Sequence, residues 1–148
     1  MAGQTPQPGD PAPDFTLPLL GGGELHLADT RDHPVVLNFW ATWCKPCSQE
    51  MPDLLKASSS DSSAGLVLIA VNLSDQEDRK DVRRFVTRLG MTGPVPLDEK
   101  GKVRQAYGLT AVPTTVFIGR DGRIQSIVAG PVSPAALRRG VAGILRPL

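Results

Sequence analysis

Val35-Val36-Leu37-Asn38-Phe39-Trp40-Ala41-Thr42-Trp43-Cys44-Lys45-Pro46-Cys47 decides how this chain folds. Its first six residues are almost wholly apolar and bounded by polar sequence. A run that short reads as a strand covered on both faces. Pro46 lacks an N–H, which suits the first turn of a helix, and that helix is expected from about Lys45 to Ala57. The cysteine pair therefore sits where a buried strand hands over to a helix.

Outward from this junction the pattern continues. A polar loop is expected over Ser58–Ser63, and Leu66-Val67-Leu68-Ile69-Ala70-Val71 is a second apolar strand. Val82, Phe85, Val86 and Leu89 fall at helical spacing before Gly90, a fitting stop. Val103, Ala106 and Tyr107 suggest a shorter helix ending at Gly108. Thr114–Ile118 and Ile124–Val128 flank Arg120-Asp121-Gly122-Arg123, and Asp-Gly between apolar runs is a strong hairpin signal. Ser133-Pro134 is a cap followed by proline at the first helical position, with Leu137, Val141, Ile144 and Leu145 lining a last helix. Upstream, Phe15-Thr16-Leu17 and Glu24-Leu25-His26-Leu27 flank Gly21-Gly22-Gly23, a small hairpin. The expected fold class is α/β: a mixed central sheet with helices on both faces and an N-terminal β-hairpin extension.

The length of 148 residues suits one domain, expected over residues 14–148. Residues 1–13 hold four prolines and two glycines and read as a flexible lead-in, with ordering of Pro11–Pro13 against the domain as the alternative. A formal net charge of +1 gives no electrostatic case for nucleic acid or an anionic membrane. No stretch approaches the roughly 18 apolar residues that span a bilayer, and residues 1–6 lack the basic and apolar regions of a secretory leader. Two readings follow: a cytosolic protein, or an exported one whose targeting segment is absent from this chain.

The two cysteines are three positions apart. A disulfide between them would close a tiny loop and constrain the unfolded chain little, so structural stapling is the weak reading. Zinc wants about four ligands; only His26 and His33 remain, both outside the motif, so no metal is expected. Redox chemistry fits better. Thiolate is the nucleophile, and a helix N-terminus stabilises it with free N–H groups and partial positive charge. Cys44, at the cap, is expected to be exposed and to attack; Cys47, one turn in, to be covered and to resolve the mixed disulfide. Lys45 adds a nearby positive charge, and Pro46 completes the motif.

Asn38–Cys47 followed by Glu50-Met51-Pro52 resembles the thioredoxin superfamily, in particular its TlpA/ResA-type branch of extracytoplasmic thiol–disulfide oxidoreductases. Pro11–Leu17, Ala70-Val71-Asn72, Tyr107-Gly108-Leu109 and Val112-Pro113-Thr114-Thr115 match in order, so the resemblance covers about residues 10–146. It implies a thioredoxin-like fold and a cis peptide at Pro113 beside the cysteines. Val112 then offers its N–H and C=O to an extended substrate. It also implies that Trp43 shields the site and contacts substrate, while Trp40 reads as core. Thioredoxin carries a buried aspartate at the position of Asn38, which cannot ionise. In this branch an acid after the second strand serves instead, with Asp75 or Glu77 as candidates. Against that, Ser74-x-x-Glu77 is itself a capping box for the next helix.

The resemblance further implies reduction of client proteins, apocytochrome c among them, an electron-donating redox partner, no organic cofactor, a monomer and an extracytoplasmic location. Competing readings are a disulfide-forming oxidant, a cytosolic thioredoxin-like reductase, and a thiol-based copper chaperone. A peroxiredoxin would need proline and threonine where Leu37 and Ala41 stand.

Overall fold

The computed structural model describes residues 5–147. Strand β3 (Val35–Trp40) is buried along its whole length, as an apolar run at the centre of a sheet must be. Its neighbours are β4 (Val67–Asn72), parallel, and β5 (Thr114–Ile118), antiparallel. β5 pairs antiparallel with β6 (Ile124–Ala129) across the Asp-Gly turn, and the sheet order is β4-β3-β5-β6. A separate two-stranded sheet joins β1 (Thr16–Pro18) and β2 (Glu24–His26), with Leu17 opposite Leu25. Its turn uses Gly22 and Gly23 at φ 99° and 81°, a region costly for residues with a Cβ.

Successive strand residues point to opposite faces, and β3 feeds two cores accordingly. Val36 and Trp40 join a cluster with Met51 and Leu54 of α1 (Lys45–Ser60), Val82 and Phe85 of α2 (Arg79–Leu89), and Val141 and Ile144 of α4 (Pro134–Leu145). Val35, Leu37 and Phe39 join Phe15 and Leu17 of the N-terminal hairpin region and Val103 of α3 (Lys102–Ala106), with Tyr107 following. The mixed α/β class with helices on both faces is observed, as is the N-terminal hairpin.

Three details differ from the sequence reading. Helix α1 continues to Ser60, and Ser62–Ala64 form a 3-10 turn, so the expected polar loop is mostly helical. Serine is only mildly unfavourable in a helix, and no glycine intervenes until Gly65. The lead-in expected to be flexible is held from Gly9 onward; residues 1–4 of it lie outside the described residues. Gly9 N–H donates to Ile124 O (2.8 Å), Ile124 N–H to Asp10 O (2.9 Å) and Ala12 N–H to Gly122 O (3.0 Å). The open edge of β6 offers unpaired backbone groups, and the Pro-rich segment pairs with its first residue, Ile124, and with Gly122 before it. The cap of α2 is Asp78, accepting from Lys80 N–H at 2.8 Å, not Ser74. Ser74 instead donates its hydroxyl to Asn72 O at 3.2 Å within a 3-10 turn, Ser74–Gln76.

Candidate active site

Cys44 caps α1 in extended conformation, and Cys47 lies within its first turn. The two form a disulfide with Cα atoms 5.3 Å apart. Cys47 N–H points at Cys44 Sγ (3.2 Å), so the electron-rich sulfur receives a free N–H of the helix end. No acidic residue occupies the first turn of α1 to oppose a thiolate there. Trp43, Lys45 and Pro46 are exposed around the pair, and Trp43 is 63% exposed.

Cys44 is not exposed as expected: it is 4% accessible, and Cys47 is fully buried. The turn before β5 closes over the sulfur, with Val112 O 3.7 Å from Cys44 Sγ. The Val112–Pro113 peptide is cis. Gly130 N–H donates to Pro113 O at 2.8 Å, and Thr114 Oγ1 to Ala111 O at 2.7 Å, so this turn is held from both sides. Trp40 is buried, donates its indole N–H to Ala70 O (3.1 Å) and stacks on Phe85 with ring centroids 4.4 Å apart.

The two acidic candidates separate. Asp75 faces Arg104 at 3.3 Å. Glu77 reaches the cysteine loop: its Oε1 accepts from Thr42 N–H (2.9 Å) and from Asn72 Nδ2 (3.4 Å). Its Oε2 is buried with no hydrogen-bond partner among the described residues.

Glu50 is the residue the sequence reading left without a role. It stands three positions after Cys47 on α1, a spacing that shares one helix face, and is 6% exposed. Its carboxyl accepts from Asn38 Nδ2 (3.1 Å) and Val132 N–H (2.9 Å). Asn38 Nδ2 also lies 3.2 Å from Thr115 Oγ1. Burial raises the Glu50 carboxyl above its ordinary range, outweighing the hydrogen bonds from Val132 and Asn38, which pull it down. Thus Asn38, where an ionisable group is missing, binds the ionisable group of the next element. The sequence signal was available: a glutamate on the buried face of a helix, one turn beyond the cysteine.

Among the described residues no three His, Cys, Asp or Glu side chains gather to hold a metal. His26 is tied to Thr16 Oγ1 (2.7 Å), and His33 lies 3.3 Å from Gly65 O. Leu37 and Ala41, where a peroxide-reducing site needs proline and threonine, are buried and apolar.

A family model described as AhpC/TSA matches residues 8–127. The chain belongs to this family. Within it, the chain is 37% identical over 136 residues to the thiol-disulfide oxidoreductase ResA of Geobacillus thermodenitrificans, covering 92% of the chain and 77% of that relative. It is 40% identical over 128 residues to the thioredoxin-like protein YneN of Bacillus subtilis, covering 86% and 74%. A solved Chlorobium tepidum structure assigned to the thiol:disulfide interchange protein DsbE superposes with a TM-score of 0.87 at 31% identity, covering 96% of this chain and all of that one. The AhpC/TSA member described here is accordingly a thioredoxin-like thiol–disulfide oxidoreductase, an enzyme whose clients carry protein thiols or disulfides.

Proposed function

We propose that this enzyme is a dithiol reductant in which Cys44 attacks, Cys47 resolves and Glu50 exchanges the resolving proton. One observation carries the reading: the Cys44–Cys47 pair opens α1 directly beneath the Val112 carbonyl. In the reduced enzyme the Cys44 thiolate attacks one sulfur of a client disulfide and expels the other as thiolate, leaving a mixed disulfide. Cys47, deprotonated by Glu50, then attacks Cys44 Sγ, re-forms the Cys44–Cys47 bond and releases the second client thiolate. Two electrons have moved to the client, and a partner dithiol must return them. No organic cofactor takes part. Val112 supplies backbone groups to an extended client segment, with Trp43, Lys45, Pro46 and Pro113 around it. Glu77 holds the loop that carries Trp43 and Cys44.

The resemblance to TlpA/ResA-type reductases supports an extracytoplasmic location, a monomer, a separate electron donor and apocytochrome c thiols as clients. No helix among the described residues is long and apolar enough to cross a membrane.

The test has two parts. Cys47→Ser should accumulate a mixed disulfide through Cys44, and Cys44→Ser should accumulate none; trapping at Cys47 instead reverses the roles. The reduction potential, measured against a glutathione series, should fall well below the roughly −120 mV of a strong oxidant. A value near that figure would make the enzyme a disulfide former.

A further inference from the structure

Helix α2, packed beside α1 next to edge strand β4, carries Arg79, Lys80, Arg83, Arg84 and Arg88 against a single acid, Asp81. The whole chain has a net charge of only +1, so the remainder is net negative and the positive charge is concentrated here. Lys80, Arg83, Arg84 and Arg88 are exposed and line one shallow concavity together with Thr87. Their spacing puts them on one helix face, opposite Val82 and Phe85, which are buried.

Local structure does not account for this stripe. Positive charge in the first turn opposes the helix dipole. Lys80–Arg84 and Arg84–Arg88 are like-charge neighbours four residues apart, an arrangement that weakens a helix. Among the described residues Arg79 is matched by Glu99 (2.8 Å) and Arg84 lies 3.4 Å from Asp81, while Lys80, Arg83 and Arg88 meet no carboxylate. Two of these heads are nevertheless held in place. Arg83 Nη2 donates to Leu20 O (3.2 Å), and the Arg88 guanidinium lies 5.4 Å from the Phe85 ring centroid. Phe85 in turn stacks on Trp40, at the end of the strand that leads to Cys44. At its other end, α2 begins beside Glu77, whose carboxylate holds Thr42, two residues before Cys44.

We propose that the α2 stripe is a docking surface for an acidic segment of the disulfide-bearing client. From Lys80 to Arg88 it covers about 12 Å, at a rise of ~1.5 Å per residue. Carboxylates one turn apart on a partner helix match the Lys80–Arg84–Arg88 repeat, and arginine forks bind carboxylates bidentately. A membrane fits less well, because a helix lying in a lipid surface needs a free apolar face. The apolar side of α2 is in the core, and Trp43 is the exposed large hydrophobic residue among those described. The proposal rests on the reading of the protein as a reductant and names what selects its clients.

Single-turnover reduction by the dithiol enzyme tests it, with two disulfide peptides that differ only in glutamate or glutamine at positions four residues apart. The uncharged bis(2-hydroxyethyl) disulfide serves as reference. The glutamate peptide should react about tenfold faster or more at low salt. That advantage should vanish between about 0.01 M and about 1 M salt, as the Debye length shortens from ~30 Å to ~3 Å. The triple variant Lys80→Gln, Arg84→Gln, Arg88→Gln should lose the advantage yet reduce the reference disulfide at the wild-type rate. Equal rates for the two peptides, or a preference that survives in the triple variant, would overturn the proposal. So would retention on phosphatidylglycerol vesicles without peptide discrimination. If the reference disulfide itself is not reduced, the reductase reading has failed alone. Fluorescence anisotropy of the two labelled peptides against the oxidised protein then decides the docking surface without turnover: tighter, salt-sensitive binding of the acidic peptide supports it, and equal binding refutes it.

Discussion

Replacing Glu50 by glutamine separates the energetic cost of this buried carboxyl from its chemical use. Glutamine has the same shape, but only one of its two terminal atoms accepts. Asn38 Nδ2 and Val132 N–H both donate to Glu50, so one of them would face a second donor in the variant. Leaving a buried donor unmatched costs about 1–3 kcal/mol, independent of pH. The pH-dependent part has the opposite sense. Burial holds the folded carboxyl above the unfolded value, so folding favours the protonated form. The stability this group contributes is complete below about pH 4.3, where the unfolded chain is also protonated. It is lost as pH rises through the folded pKa, with a slope of at most about 1.4 kcal/mol per pH unit. Urea unfolding of the oxidised wild type and Glu50→Gln, followed by circular dichroism from about pH 4 to about pH 8, reads both parts. The wild-type advantage should be largest at the acid end and shrink toward neutrality. An advantage that stays flat, or grows with pH, would refute the assignment of a raised carboxyl. In the reduced enzyme the same variant should slow resolution of the mixed disulfide by Cys47 while leaving its formation at Cys44 unchanged.

Trp43→Ala should leave stability within about 0.5 kcal/mol, because the side chain is exposed; a steady-state assay should show a raised KM for protein clients and an unchanged rate with a small disulfide. Glu77→Ala removes the acceptor of Thr42 N–H and Asn72 Nδ2. It should cost about 1–3 kcal/mol in urea unfolding and loosen the cysteine loop, seen as faster amide exchange at Thr42. Gly140→Ala would drive a Cβ into the Phe117 ring, so overpacking should lower stability by about 1–3 kcal/mol, read as a falling thermal midpoint.

What was legible in the sequence was what neighbours along the chain determine. The run Val35–Trp40, the Asp121-Gly122 turn and the Ser133-Pro134 cap each carry a local signal, and each element forms where that signal stands. The same holds for the cysteine pair, whose place at a strand-to-helix junction is a matter of adjacent residues. What was not legible depends on distant partners. Glu50 draws its meaning from Val132, 82 positions away, and from Asn38 on another strand. Cys44 is covered by a turn 68 positions later in the chain. Glu77 looked like part of a cap because Ser74 precedes it at the right spacing. Asp78 took the cap, and the glutamate was left free to reach Thr42.

The two tryptophans occupy opposite extremes three positions apart in the chain, Trp40 fully buried and Trp43 63% exposed beside the disulfide. Indole emission shifts to shorter wavelength in an apolar environment, and an adjacent disulfide quenches it. Trp43 is the long-wavelength emitter and should brighten on reduction, while Trp40, packed in the same core cluster as both cysteines, emits at short wavelength and should move to the red when the domain unfolds. Intensity thus follows electron transfer and emission wavelength follows folding, with no label added.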